Sequence, residues 1–412
     1  MSGPVIISGA GPVGLITALG LLHYGLDVVV LEEDDQLSRD TKAGTVLTRT
    51  IEVLDRYGVA PDVLSRALRI DEIGDVDRET GETQRSIKTW LLRDETRYPF
   101  VINIPQHFLE PVLADALEKR APGALRMGHR LVGFRQDEAG VVVTAETRDG
   151  PVELEGEYLL ACDGGRSTVR KALEIGVEGT TFPERYMLVD VAVDLDVDNP
   201  RDYPYLAYFA HPQEWMILVR QPEFWRFLYP RAADSPELDD AELAEKVRTY
   251  IGDVDHLDVV GYYDYTVHAR AAERWRDGRV FLMGDAAHLI TPMWALGLNT
   301  GVLDASNLPW RLAWVSRGWA DPSLLDGYEA EQAPLARHGS AAMAQAASEY
   351  MSRRSQSLEA MTQHDWANAM TRAMLAVRLD VDGTGDWALT PDGSDPAPCR
   401  WASGSPTWRS TI

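Results

Sequence analysis

Cysteine is nearly missing: 412 residues contain only Cys162 and Cys399. Two thiols far apart in unlike contexts build no disulfide framework, so both are read as unpaired, and a reducing, cytoplasmic setting is expected. Basic residues are also short, 40 Lys+Arg against 64 Asp+Glu, for a formal charge of -24. That excess repels phosphate backbones and anionic lipid surfaces, which sets aside nucleic acid and membrane partners. No uninterrupted apolar run reaches the ~18 residues of a membrane span. The apolar opening PVIISGAGPVGLITALGLL lacks the basic n-region of a signal peptide. No internal repeat is visible. Apolar residues are ample at 45%, enough for two or three domains or one large composite fold.

The chain begins with a βαβ pattern: a buried strand at 4–8, a helix at 12–24 and the strand DVVVLE at 27–32. The stretch TVLTRTIEVLDRYG has helical spacing at Val46, Leu47, Ile51 and Leu54, and Gly58 closes it. Residues 71–103 look strand-rich and irregular, and 104–120 predicts an amphipathic helix. YLLAC at 158–162 and VFLMGD at 280–285 predict buried strands. Between Tyr186 and Tyr229 a run of strands predicts a separate antiparallel sheet. Residues 297–378 read as mostly helix, and the DGTGD, PDGSDP and ASGSP segments near the end as loop or tail.

Three glycine turns, the second and third each carrying an aspartate, hold the chemistry. In ISGAGPVG, Gly9, Gly11 and Gly14 form G-x-G-x-x-G between a strand and a helix. The first glycine permits a tight turn, the second lets backbone approach a pyrophosphate, and the third allows close helix packing. Glu32 ends the next strand about 20 residues on, where a carboxylate accepts ribose hydroxyls. In YLLACDGGRSTVR a strand delivers Asp163 and Gly164 onto a turn before a helix. In GDAAHLITPMWALGLNTG another strand delivers Asp285 in the same way.

This ordered set resembles the single-component flavoprotein aromatic hydroxylases of the p-hydroxybenzoate hydroxylase family. HLITPMW and the NTG-x-x-DA-x-NL-x-WRLA run are closer to the 3-(3-hydroxyphenyl)propionate and polyketide hydroxylase branch. The resemblance implies an α/β fold in which a Rossmann-like FAD-binding domain carries an inserted, mainly antiparallel substrate sheet and C-terminal helices. The implied division is 1–70, 98–178 and 268–320 for FAD, 71–97 and 179–267 for substrate, 321–380 for C-terminal helices and 381–412 for a tail. A C-terminal thioredoxin-like domain found in many relatives is expected to be absent or reduced to that tail.

Position by position, Gly9, Gly11, Pro12, Val13, Gly14 and Glu32 resemble the FAD pyrophosphate and adenosine-ribose site. Lys42 stands where many relatives carry an arginine near the cofactor. Gln106 resembles a ribityl contact, Leu131 a backbone contact to adenine, and Asp163 a residue tied to both FAD and the transient pyridine nucleotide. Asp285 resembles the aspartate that holds a ribityl hydroxyl, and Pro292, Gly297, Leu298 and Asn299 the groups meeting the isoalloxazine pyrimidine edge. A helix N-terminus there stabilises the negative charge of reduced flavin. No metal site is expected.

The implied activity is hydroxylation of a phenol or related activated aromatic through a flavin C4a-hydroperoxide, with NADPH or NADH as transient reductant and O2 as co-substrate. Two other readings stay open: an epoxidase or Baeyer–Villiger-type oxygenase on a polycyclic compound, and a non-catalytic flavin-binding redox sensor. The resemblance makes Tyr208 the candidate to activate a phenolic hydroxyl and His211 the candidate to relay its proton. Val219 and Gln221 stand where a benzoate hydroxylase grips a carboxylate with serine and arginine, and neither can form a charged clamp. His288 is read as holding its loop through ring hydrogen bonds. Trp215, Phe224, Trp225 and Phe227 are further pocket candidates. Trp294 interrupts the glycine-rich stretch where relatives carry Gly-Gly-Gln, and both a place in the substrate wall and packing into the core stay open. The expected assembly is a monomer or homodimer.

Overall fold

A computed structural model describes residues 3–38, 44–195, 203–212 and 214–352. Lys42 and the tail lie outside the described residues. The chain opens with β1 (Val5–Ser8), α1 (Pro12–His23) and β2 (Val28–Leu31), followed by the hairpin β3 (Glu72–Val76) and β4 (Thr83–Lys88). Then come α2 (Gln106–Arg120), β5 (Leu125–Arg126) and β6 (Tyr158–Ala161). Five long or paired strands follow: β7 (Val177–Ala192), β8 (Leu206–Phe209), β9 (Met216–Arg220), β10 (Trp225–Ala232) and β11 (Asp258–Ala272). After β12 (Arg276–Asp277), β13 (Val280–Leu282) and β14 (His288–Leu289) come helices, of which α3 (Leu296–Ser316) and α4 (Ala341–Met351) matter most here.

β1 and β2 are runs of Val, Ile and Leu buried on both faces, the composition of a covered parallel strand. β1 pairs in parallel with both β2 and β6, and the six-stranded sheet runs β12-β13-β6-β1-β2-β5. An eight-stranded sheet, order β14-β11-β7-β10-β9-β8-β3-β4, is antiparallel except where β8 runs parallel to β3. The expected α/β architecture with a second, mainly antiparallel sheet is what the chain adopts.

Alternation along the strands sends the eight-stranded sheet's side chains to two different cores. Tyr208, Ile217, Val219 and Leu228 join one apolar cluster with Trp294 and α4. Trp225, Phe227 and Tyr229 join another with the helix Asp240–Ile251. Of the aromatic pocket candidates, Trp215 therefore shares the Tyr208 side, whereas Trp225 and Phe227 face away. Period-2 side-chain geometry is the reason.

One element boundary also moves. Thr45–Val46 is a strand paired with Ile102 and Asn103, and the helix starts only at Thr48. Val46 fits either periodicity, and tertiary pairing decides between them. Among the described residues no helix is long and apolar enough to cross a membrane.

Candidate cofactor and substrate site

The three glycine turns converge at the carboxyl ends of β1, β6 and β13, where ligands bind in open α/β sheets. Gly9 sits at φ +102, and a Cβ there would lie 2.4 Å from the Cys162 carbonyl oxygen. A Cβ on Gly14 would lie 2.1 Å from the Gly9 oxygen, so only glycine lets α1 pack this closely. A Cβ on Gly11 would meet nothing within 4 Å, which leaves open space in front of the α1 N-terminus. Pro12 occupies the first turn, where its missing N–H costs nothing. Val13 packs its methyls between Gly284 and Gly301, which joins α1 to α3.

Glu32 is oriented by the turn itself: the Ala10 N–H donates to Oε2 at 2.7 Å and the Asp34 N–H to Oε1 at 3.2 Å. The His129 N–H donates to the Glu32 carbonyl at 2.7 Å, which brings the approach to buried Leu131 alongside. Asp163 accepts from Thr168 and Val169 N–H at 2.8 and 3.1 Å through Oδ2, so it does cap the following helix. Its Oδ1 is buried with no partner. Asp285 stands exposed in the short turn after β13.

The α3 N-terminus follows at once. Its N-cap, Ala295, offers no side-chain acceptor, so the amides of the first turn, including Gly297 and Leu298, remain donors for a ligand. Asn299 behaves differently from its expected role. Its Oδ1 accepts from Leu47 N–H and Thr50 Oγ1, and its Nδ2 donates to the Thr45 and Ala295 carbonyls. All four amide hydrogen-bonding positions are taken within the protein, and only its backbone faces the ligand question. Pro292 precedes a turn in which Trp294 (φ 56) and Ala295 (φ 57) are both left-handed. Such non-glycine residues cost roughly 1–3 kcal/mol each.

An unfilled cradle at Gly11, an orphaned carboxylate oxygen on Asp163 and an uncapped helix N-terminus suit a dinucleotide carrying a pyrophosphate and an anionic ring edge. The residues fit FAD.

Gln106 opens α2 and donates from Nε2 to Glu110 Oε1 at 2.6 Å. Burial pushes the Glu110 carboxyl up from 4.5 to about 7, against the lowering effect of that hydrogen bond. A folded-state value above the unfolded one gives stability that is full below about 4.5 and lost as pH rises through about 7. Glu110→Gln should therefore flatten the fall in stability across that window. Urea titrations at several pH values check this; parallel curves for the two proteins would contradict it.

Two residues that the sequence reading did not single out hold the turns together. Asp304, fully buried on α3, accepts from Gly284 N–H and His288 Nε2, both at 2.8 Å. His288 stacks on Trp275 at 5.1 Å, in keeping with its loop-holding role. Arg170 donates to the Ala286 and Gly165 carbonyls at 2.9 Å each and so ties the second turn to the third. Burial lowers its pKa. Gly165 is local to Arg170, but Ala286, Gly284 and His288 lie 16 or more residues from the side chains that hold them, although Asp304 belongs to a run already noted as family-like.

On the substrate side, Tyr208, Val219 and Trp294 lie in one apolar cluster. Tyr208 is almost wholly buried, and burial raises its pKa. In register beside it on β3 is Asp75, which accepts from Arg85 Nε at 2.8 Å and from the Tyr350 hydroxyl of α4. His211 is half-exposed beyond β8. Its N–H donates to Met351 O at 2.9 Å and its Nδ1 accepts from Glu214 N–H at 3.3 Å. Gln221 is fully buried and donates from Nε2 to Gly44 O at 3.1 Å.

A dinucleotide turn facing one sheet, with a second sheet closing over the same cofactor helix, defines the class: an FAD-binding α/β protein built like the flavin monooxygenases. The profile of a family described as an FAD binding domain matches residues 2–342, and the chain belongs to that family. It is 32% identical over 342 residues to para-nitrophenol 4-monooxygenase of Pseudomonas sp. (strain WBC-3), across 80% of this chain and 82% of that protein. It is 33% identical over 340 residues to a 3-(3-hydroxy-phenyl)propionate/3-hydroxycinnamic acid hydroxylase of Burkholderia vietnamiensis, across 80% of this chain but only 60% of that longer protein. The crystal structure of p-nitrophenol 4-monooxygenase from Pseudomonas putida DLL-E4 superposes with a TM-score of 0.83 at 29% identity, covering 91% of this chain and 97% of that one.

Proposed function

We propose that this protein is an NAD(P)H-consuming, FAD-dependent monooxygenase that adds one oxygen atom to a phenolic ring. The balance is one phenol, one NAD(P)H, one proton and one O2 giving the hydroxylated phenol, NAD(P)+ and water. The observation that carries the reading is Tyr208, buried on an apolar sheet face shared with Trp294, the residue two before the α3 N-terminus.

Bound FAD supplies the electrophilic oxygen, and the chain's own residues do the rest. Gly9, Gly11, Gly14, Glu32, Gln106, Leu131, Asp163, Asp285, Pro292 and the Gly297–Asn299 backbone are assigned to hold the cofactor. Segments 71–97 and 179–267 are assigned to the substrate half. Tyr208 accepts the substrate's phenolic hydrogen bond and favours the electron-rich phenolate. Asp75, in register with Tyr208 on the neighbouring strand, joins His211 as a candidate to carry that proton away.

The cluster around Tyr208 supports a phenol without a gripped carboxylate. Val219 is apolar, the Gln221 amide is engaged with Gly44, and Arg226 is neutralised by Asp190 at 2.7 Å. Para-nitrophenol, named for the first relative above, is a phenol of that kind.

The test is purified protein carrying FAD, given NADH or NADPH and a panel of phenols with and without carboxylates. Substrate-stimulated oxidation with a gain of one oxygen supports the reading; FAD binding without any stimulated oxidation sinks it. Tyr208→Phe should slow hydroxylation by about a hundredfold and leave NAD(P)H consumed in excess of product. Unchanged coupling in that variant would remove Tyr208 from the mechanism.

A further inference from the structure

The structure assigns Trp294 as the residue that limits the size of the aromatic ring system admitted beside the cofactor helix, an inference that rests on the phenol hydroxylase reading above. Trp294 and Ala295 are consecutive left-handed residues, a conformation normally left to glycine. Strain of this kind persists only where the surroundings impose it. Here the indole is almost wholly buried, in the same apolar cluster as Tyr208, Val219 and Tyr186. From the other side α4 packs against this turn and contributes Ala344 and Ala347, both fully buried, to the same cluster. Small residues on the facing helix leave room for a large one on the turn, as interdigitated packing requires.

The position makes the consequence specific. Trp294 lies two residues before α3, whose N-terminus is the cofactor end, and its side chain joins the sheet face that carries Tyr208. A ring bound between those two boundaries shares its space with the indole. A fused ring pair asks more of that space than a single ring, so the larger system is the one the indole disfavours.

The experiment uses the FAD-loaded enzyme and variants Trp294→Phe, Trp294→Leu and Trp294→Ala. Dissociation constants for 4-nitrophenol and 1-naphthol are measured from the change in the bound flavin's visible absorbance, and hydroxylation of each is followed separately. The wild type should prefer the single ring, and Trp294→Ala should shift the naphthol-to-nitrophenol ratio by about tenfold toward naphthol, with Phe and Leu between. An equal ratio across all proteins overturns the size role, even if 4-nitrophenol is hydroxylated normally. A shifted ratio with neither compound hydroxylated upholds the size role and overturns the phenol reading. If Trp294→Ala loses flavin, the Phe and Leu variants decide in the same way.

Discussion

Asp285→Ala should give a folded protein that binds FAD about ten- to a hundredfold more weakly. The side chain is exposed at the carboxyl end of the parallel sheet, so its removal opens no cavity in the core. A carboxylate accepting from a buried ligand hydroxyl contributes about 1.5–3 kcal/mol, which converts to roughly that loss in affinity. Flavin content after purification, and a titration of apoprotein with FAD followed by fluorescence quenching, read the effect. A wild-type dissociation constant would reject the ribityl assignment. Asp285→Asn should fall between, because an amide oxygen accepts but carries no charge.

Asp304→Ala should do something different: destabilise the fold and lose the cofactor together. Its Oδ2 accepts from the Gly284 amide and the His288 ring, and Gly284 is held at φ 55 in the turn that presents Asp285. Removing the carboxylate leaves two buried donors without a partner, a cost of about 3–5 kcal/mol. The melting temperature should fall by several degrees even without FAD, and the flavin-loaded fraction should drop further. Loss of FAD at an unchanged melting temperature would contradict the bracing role and make Asp304 resemble Asp285. The pair of variants therefore separates a residue that faces the ligand from one that supports the turn.

Local sequence carries information where each residue answers a constraint close by in the chain. The G-x-G-x-x-G turn is legible because each glycine answers a constraint a few residues away: Gly9 the turn, Gly14 the packing of α1 on Gly9. Strands β1, β6 and β13 are legible because both faces are buried and their residues are apolar without alternation. The beginning of the helix at Thr48 is not, because Thr45 and Val46 are claimed by Asn103 and Ile102, far along the chain. The Asn299 amide looked like a cofactor contact by position, yet its partners are Thr45, Leu47, Thr50 and Ala295.

By itself the sequence determined the class of fold, the family and the chemistry expected of three turns, since these depend on backbone conformation and burial patterns that neighbouring residues dictate. Only the tertiary structure decided which side chains meet. It brought Asp304 under Gly284 and His288, stretched Arg170 between the second and third turns, set Asp75, Arg85 and Tyr350 beside Tyr208, and turned Trp225 away from Trp215. Those contacts join segments separated by tens to hundreds of residues, and no local propensity encodes them. Trp294 belongs to both accounts: its presence among glycines was plain in the sequence, while its left-handed backbone and buried indole follow from α4 and the eight-stranded sheet closing around it.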